Sequence, residues 1–587
     1  MGMFNQKSDR QSKKDTFSAS MFRKLFFPAV LTSVGFSISD MADAIVVGQK
    51  LGATGLAAIA LILPVYMLIN IIGYGLSSGG AITFGKMVGK GKNEEANQTF
   101  NDVFWTALFV GIAICIVMLA APSMCLRALG TKASDGELFI ATKSYFCAFA
   151  FSVPLYILSI ILNNFLRNDS NERIAAVGSV IGSTVDLTMN IVFVLVLNMG
   201  IRGAALATFV GLIVAIVIYG YGVIACGHNL MIHLPKVSRI SQIAGYLKLG
   251  LPSSVQYLYQ LIFILVSNNI LIRIGGERAV AIFDLIQNTS YLILYMYEAA
   301  GRSLQPLVSI FHGEYNYPGE DSALKLGMKW GLGCGYLIIA VILIKPVLVC
   351  NLFGFTGASN IALASWVLRW YALSQALAGV MIIRSSYFQA CEQTGPSVLA
   401  ATLRGFLILI PAMIICSNFG EKGFWLLYPI TESVSLAAFS ILCMVRDYFS
   451  QRLDEQAIKR FIIEGTDTQV VECSQMAQEF VESKEYEMKT AILTAMVIEE
   501  VAMALITESE EDKKMQLQIS VVDKGEGRIL IFLRNNTIEF NPLMLYAGDV
   551  SSGEVNEAAL GMEIIRKKVK SISYNNIYGF GSIVVDV

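Results

Sequence analysis

Asp40 and Asp43 stand three residues apart inside an apolar stretch, and Asp186 stands four residues before Asn190 inside another. Residues three or four apart share one face of a helix, so each pair presents its oxygen atoms together. An ionisable side chain within a bilayer costs about 2.5–3.5 kcal/mol on insertion scales, which makes it a functional candidate by default. Where such faces meet, two or three carboxylates and an amide line one dry pocket. Carboxylates that close cannot all remain ionised without a cation. One proton or one sodium ion relieves the repulsion, and a site that needs one can couple to its gradient. Oxygen-only ligands suit a hard monovalent cation and disfavour zinc or copper.

A second set lies further along the chain: Asp284, Glu298, Arg369, Arg384, Arg404 and Glu432. Glu298 precedes Arg302 and Gln305-Pro306, and a proline there bends the helix and frees a carbonyl. Asp40, Asp284, Glu298, Gln305 and Arg384 are the candidates for a substrate cavity. Structural roles compete with these readings. Asp40 could cap a neighbour close to water, Asp186 and Asn190 could form an interhelical hydrogen-bond pair, and Arg384 and Arg404 could pair with acids or snorkel to an interface.

The elements that must position these residues are apolar helices. Of 587 residues, 55% are hydrophobic and 15% charged, with mean hydropathy +0.59. Soluble domains carry about 25% charged residues, so a soluble enzyme, a disordered chain and a nucleic-acid binder are excluded. The charge is uneven: from Gln451 onward there are 23 acids and 14 bases, and before it 22 acids and 30 bases. A long apolar part therefore precedes a short acidic one. Twelve runs are long enough to span a bilayer: 27–47, 57–78, 104–119, 145–162, 175–197, 204–224, 253–274, 279–297, 330–350, 364–387, 399–416 and 425–444. The ten cysteines are scattered singly, with no Cys-x-x-Cys and no His/Cys cluster, so neither disulfides nor a metal centre is expected.

Basic residues gather before the first run, in the even loops (Lys86, Lys90, Lys92; Arg167, Arg173; Lys236, Arg239, Lys248) and after the last run. The positive-inside rule then places both termini in the cytoplasm. Landmarks also recur. Leu51-Gly52 resembles Ile274-Gly275, Phe165–Asn171 resembles Phe388–Thr394, and Gly200–Gly203 resembles Gly420–Gly423, at offsets of 223, 223 and 220. Two parallel six-helix halves follow, 25–230 and 231–447, behind a tail at 1–24.

In order and spacing, these segments resemble the multidrug and toxic compound extrusion (MATE) family of cation-coupled antiporters over roughly residues 20–447. The segments are Met41–Gly52, Gly79-Gly80-Ala81, Gly89–Asn97, Gly200–Thr208, Leu249–Pro252, Gln305-Pro306-Leu307, Tyr387–Ala390, Arg404 and Ile410-Pro411. The resemblance implies a cation site built by Asp43, the Asp186/Asn190 pair, Ala204 and Thr208. The family places its asparagine first and its aspartate four residues later; here Asp186 comes first and Asn190 second, which bears on ion preference.

Beyond a linker at 448–457, residues 458–587 read as a soluble α/β unit. A helical stretch at 485–507 precedes alternating strands at 516–522 and 529–533, a helix at 557–569 and a strand at 581–587. The unit resembles the histidine-kinase-type, anti-sigma-factor-like ATPase sandwich through Val497–Glu500, Phe540-Asn541-Pro542, Leu560–Ile565 and Tyr578–Gly581. Its departures are specific. Ala504 stands where that family's magnesium-binding asparagine follows Glu500, Asn535-Asn-Thr537 replaces the adenine-binding motif, and Gly561 is the single lid glycine. Those losses predict weak or absent ATP binding, no kinase chemistry, and a regulatory or partner-binding module.

The expectation is a non-enzymatic, multi-pass plasma-membrane protein. It would exchange inward H⁺ or Na⁺ for an outward small organic cation or other amphiphile, with membrane lipids, a cytoplasmic protein at the C-terminal unit, no nucleic acid and no organic cofactor. No Gly-x-x-x-x-Gly-Lys-Ser/Thr loop is present for ATP-driven transport. A lipid-precursor flippase and a membrane sensor signalling through the tail are the alternatives.

Overall fold

The computed structural model describes residues 16–60, 62–128, 137–225, 229–234, 240–352, 358–447, 453–464, 466–507, 515–525, 527–536, 540–545, 557–577 and 580–587. The side chains of Asp40, Asp43 and Asp284, and residue Thr537, lie outside the described residues.

The first half is built from α1 (Thr16–Ala60), α2 (Leu63–Gly89), α3 (Asn93–Ala120), the short α4 (Pro122–Ala128), α5 (Glu137–Ala150), α6 (Ser152–Asn168), α7 (Glu172–Asn190) and α8 (Ile201–Ala225). The second half comprises α9 (Ile240–Gly313), α10 (Tyr317–Ile344), α11 (Pro346–Leu352), α12 (Ala358–Ala390), α13 (Thr394–Thr402), α14 (Leu409–Ser417), α15 (Gly420–Phe424) and α16 (Leu427–Asp447). Among the described residues, ten helices are long and apolar enough to cross a membrane, or eleven with the α5/α6 pair, which is bent by 49°; one of the ten, Met488–Thr507, lies in the C-terminal unit.

Two expected boundaries shift. The run at 145–162 is not one straight helix but breaks at Phe151, between α5 and α6. The runs at 253–274 and 279–297 belong to one helical path, α9, of 74 residues. A straight helix that long would reach about 110 Å. Yet Tyr246 lies against Gly79 while Gly313 lies against Lys86 and Gly89. Both ends of α9 thus touch one stretch of α2, and α9 folds back into two limbs.

The internal repeat recurs in the backbone. Left-handed φ values occur in pairs at the expected offset: Gly91 with Tyr315, Ser170 with Glu392, and Gly200 with Gly420. Each half also carries a π-helical segment, Ile191–Val196 after α7 and Leu403–Leu407 after α13. Such segments often mark functional sites. The first follows Asn190 directly and the second contains Arg404.

The C-terminal unit holds β1 (Ile458–Glu464), α17 (Asp467–Glu482), α18 (Met488–Thr507), β2 (Gln516–Asp523), β3 (Ile529–Asn535), α19 (Glu557–Lys568), β4 (Ser571–Ile577) and β5 (Phe580–Asp586). The strands form one antiparallel sheet in the order β1-β2-β3-β5-β4. α18 is apolar enough to pass as a membrane span, but it packs with α17 and α19 on this sheet through Val497, Ile498, Val501, Ile519, Ile531 and Ile583. The alternating strand pattern expected for a half-solvated sheet does not hold. All seven residues of β5 are buried, as is nearly all of β3, because the other face is covered too. Val522, Phe532 and Val584 on that face pack against Tyr317 and Tyr315 at the α9–α10 turn. The continuous apolar runs of β3 and β5 are the signature of strands buried on both sides.

Candidate functional site

In the first half, α7 and α8 touch through small residues. A Cβ on Gly211 would lie 2.7 Å from Asp186 Cβ and 2.8 Å from the Gly182 carbonyl oxygen. Asp186 is therefore set against α8, half-buried. Thr208 lies one turn before Gly211 and Ala204 one turn before that, on the same face. Thr208 Oγ1 donates to the Ala204 carbonyl at 3.4 Å. Asn190, 1% exposed, ends α7. The α1 backbone runs beside α7. Gly35 contacts Val180 of α7, and both helices begin at the end where the C-terminal sheet sits, since Lys24 stacks on Phe580 and Ser170 bonds Asn576. Parallel helices of equal rise keep the turn bearing Asp43 level with the turns bearing Asp186 and Asn190. Deeper along the half, Asn163 donates to Ser179 (2.9 Å) and Tyr219 (3.2 Å), and Tyr66 meets Tyr145 at 3.2 Å. The sequence reading missed these polar groups, because single Asn, Ser and Tyr residues in apolar runs carry no periodic signal.

Between the halves, the candidates separate. Glu298 pairs with Arg302 at 3.0 Å, one turn along α9. Nearby, the Tyr74 and Tyr257 rings stack across the halves at 5.0 Å. Gln305 does not open into a cavity; its amide donates to Ser78 Oγ at 2.8 Å. Arg384 is half-buried on α12. A groove of about 530 Å³ is lined by Phe139, Lys143, Cys147 and Arg202 among others, and holds none of the proposed cavity residues.

Below Tyr74 the two halves are sealed. Ser254 donates to the Ile71 carbonyl at 2.7 Å, Gln389 donates to Ser78 at 3.1 Å, and Lys86 pairs with Glu392 at 2.5 Å. The helices touch backbone to backbone at Gly75/Gly250 and Gly79/Tyr246. Small residues permit this approach, and here they hold the two halves together at the end that carries the C-terminal unit.

Beside this contact, His312 Nδ1 lies 3.0 Å from Glu320 Oε1, and the Cys391 thiol donates to Glu320 Oε2 at 3.7 Å. This imidazole–carboxylate–thiol group comes from the ends of two helices and the turn after a third, so no local sequence spacing announced it. Its internal hydrogen bonds fix the α9–α10 turn against the end of α12.

In the C-terminal unit, Glu500 and Gly561 come together: a Cβ on Gly561 would lie 1.8 Å from Glu500 Oε2. Burial, then the neighbouring Glu499, push the Glu500 carboxyl up. Ala504 is fully buried, and Asn535 is buried on the helix-facing side of β3.

One lysine beside the docked unit is perturbed. Burial, then the charges of Lys86 and Lys524, lower Lys90 to about 8, with Lys92 adding and Glu392 opposing. Lys86 and Lys92 act from the helical halves; the share contributed by Lys524 and by cover from the sheet opposes the docked state while Lys90 is protonated. The penalty is fully present below about pH 8 and is relieved as pH climbs from there toward 10.5, the ordinary value. Spin labels on exposed Gln98 and Lys489 should therefore report tighter docking at pH 9.5 than at 7, and Lys90→Gln should flatten that dependence.

The comparisons agree with this architecture. The MatE family profile matches twice, at residues 28–192 and 252–415, together more than half of the chain. The multidrug export protein MepA of Staphylococcus saprophyticus is 22% identical over 409 residues, covering 67% of this chain and 86% of the relative. MepA of Staphylococcus aureus (strain bovine RF122) is 23% identical over 405 residues, with the same coverage. Among solved structures, an outward-facing multidrug resistance MATE transporter of the MOP superfamily superposes with TM-score 0.68 at 22% identity, covering 73% of this chain and 96% of that one. A MOP superfamily transporter from Pyrococcus furiosus, described as having a binding pocket of reversed polarity, gives 0.67 at 22%, covering 73% and 95%.

Proposed function

The chain belongs to the multidrug and toxic compound extrusion family, and from that premise we propose a secondary antiporter that exports small organic cations or other amphiphiles by alternating access, driven by inward H⁺ or Na⁺. It is a multi-pass membrane transporter and not an enzyme. The observation that carries the mechanism is the gate. The halves are zipped from Tyr74/Tyr257 to Lys86/Glu392, a contact that must break and re-form if a central cavity is to face each side in turn. We count twelve spans: α1, α2, α3, α5 with α6, α7, α8, the two limbs of α9, α10, α12, α13 with α14, and α15 with α16. The basic loops support a cytoplasmic gate, cytoplasmic termini and a cytoplasmic C-terminal unit, in a protein of the plasma membrane.

Asp43, Asp186 and Asn190, with Thr208 and Ala204, are the proposed cation site. Ion binding there need only differ in affinity between the two states to drive the cycle. The Glu298–Arg302 pair makes the central seam electrically balanced rather than basic, which favours drug-like amphiphiles over the anionic lipid precursors of a flippase. The C-terminal unit is proposed as a histidine-kinase-type fold without a working ATP site. Buried Ala504 in place of the magnesium-binding amide, and Glu500 pressed on Gly561, support that reading.

The test is efflux of a fluorescent organic cation from a pump-deficient bacterium under imposed proton or sodium gradients. Wild type should export, and the effective gradient names the ion. Asp43→Asn and Asp186→Asn should each lose at least about tenfold in rate at equal membrane abundance, as expected for losing at least 1.4 kcal/mol of coupling. Failure of wild type across diverse dyes and both gradients would remove drug export and move the flippase ahead.

A further inference from the structure

The outer face of the C-terminal sheet is spent on the transporter itself. Its two ends grip different halves. On the β5–β4 side, Asn575 Nδ2 donates to the Val88 carbonyl at 3.2 Å and its Oδ1 accepts from Asn93 at 2.7 Å. Ser170 Oγ donates to the Asn576 carbonyl at 3.4 Å, and Lys24 lies 5.2 Å from the Phe580 ring. All four partners belong to the first half. On the β1–β3 side, Arg534 donates to both oxygens of Glu314, at 2.5 and 2.7 Å, with each side chain 5% exposed. Arg460 donates to the Tyr315 carbonyl at 3.2 Å, Lys524 lies 4.2 Å from the Tyr315 ring, and the Leu453 amide donates to Tyr317 Oη at 2.9 Å. Those partners belong to the second half, at the α9–α10 turn.

A five-stranded sheet is stiff, because each strand is hydrogen-bonded to the next across about 4.8 Å. It cannot stretch when the halves part. Opening the gate toward the cytoplasm must therefore peel the sheet from at least one half. The Glu314–Arg534 contact is the dearest to break, since each ion would be left without its partner in a buried site. Burial already holds the Glu314 carboxyl above its ordinary range despite the pull of Arg534.

We propose that the C-terminal domain is a built-in clamp on the cytoplasmic gate, holding the two halves closed on that side when docked and setting the rate at which they open. The proposal rests on the reading of the zipped end as a transport gate. Anything that binds the free helical layer and shifts the sheet would then act on transport without touching the substrate path.

Two measurements test it on the full-length chain. The first needs no substrate. Spin labels at exposed Gln98 and Lys248, one in each half at the gated end, report gate width. Wild type should show one short distance. Arg534→Gln should add a longer population, and the reversed pair Glu314→Arg with Arg534→Glu should restore the short one. The second uses tethers. Cysteines at Asn93 and Asn575 join the sheet to the first half, and cysteines at Tyr315 and Phe532 join it to the second, each pair closed by a bis-maleimide and verified by mass spectrometry. Either tether alone lets the domain ride one half and should leave efflux within twofold. Both together should slow efflux at least tenfold. Unchanged efflux with both tethers closed overturns the clamp. If no variant exports at all, the gate-width measurement still decides: an Arg534→Gln distribution identical to wild type overturns the clamp, whereas a restored pair supports it and leaves only the transport reading in fault.

Discussion

Replacing Arg404 by methionine is expected to cost about 3–5 kcal/mol of stability, whereas replacing Arg404 and Glu432 together by apolar residues should cost far less. Arg404 Nε donates to both Glu432 oxygens at 2.7 and 3.0 Å, and its terminal nitrogen reaches Gln375 Oε1 at 3.4 Å. Glu432 is 5% exposed. The guanidinium sits in the π-helical segment between α13 and α14, the carboxylate on α16 and the amide on α12. One charge pair thus joins three helices of the second half. Removing only the cation leaves a buried carboxylate without the cation it pairs with. Removing both ions removes the stranded charge along with the bond. A double-mutant cycle on the purified protein, followed by thermal unfolding, measures the difference. Arg404→Met alone should lower the melting temperature by several degrees, and the Arg404→Met/Glu432→Leu chain should recover most of it. Equal losses in the single and double variants would mean that the pair is incidental. The π-helical turn adds a second expectation: the single variant should transport less even at temperatures where it remains folded, because the pair fixes a segment whose counterpart in the first half follows Asn190.

Much of this was readable from residue order, and the parts that were not share a cause. Long apolar runs and basic even loops gave the helical frame, and the offsets near 223 reappeared as paired left-handed turns such as Ser170 and Glu392. That Arg404 meets an acid rather than an interface was one of two open readings, and its partner, Glu432, is fixed only by the packing of α16. The gate did not follow. Ser78, Gln305 and Gln389 are ordinary polar residues in three separate helices, and only the crossing of α2 with α9 and α12 makes them one hydrogen-bonded seam. Gln305, read as a cavity candidate, here spans the seam to Ser78. The His312–Glu320–Cys391 group was invisible for the same reason. In the C-terminal unit the fault lay in the reading. Ile529–Leu533 is a continuous apolar run, and treating it as alternating hid a second buried face, on which Phe532 packs with Val584 against the transporter. Arg534, the charge within that buried face, was the residue that could have revealed the docking.

Gly250→Val is expected to abolish transport, by about 100-fold or more, while leaving the two halves folded. A Cβ at Gly250 would lie 1.7 Å from the Gly75 carbonyl oxygen, and one at Gly79 would lie 1.8 Å from the Tyr246 carbonyl oxygen. Both obstacles are backbone, so no side chain can rotate away, and α2 and α9 must separate. That separation also breaks Ser254 to Ile71 and Gln305 to Ser78, the bonds that close the gate. The clash lies where the halves meet, at the α2–α9 contact, and not inside either half. The substitution should thus act on one conformational state and not on folding. A population shift of that kind needs about 2.7 kcal/mol for a hundredfold change, which a steric overlap of backbone atoms exceeds. Gly245 is the control: it lies on the same helix, and a Cβ there meets nothing within 4 Å, so Gly245→Ala should transport as wild type. The readout is efflux at matched membrane abundance, together with the label distance between Gln98 and Lys248. Gly250→Val should hold that distance long whatever the state of the C-terminal domain, because steric exclusion acts before the clamp can. Retained transport in Gly250→Val would show that the α2–α9 contact is not a state the cycle must pass through.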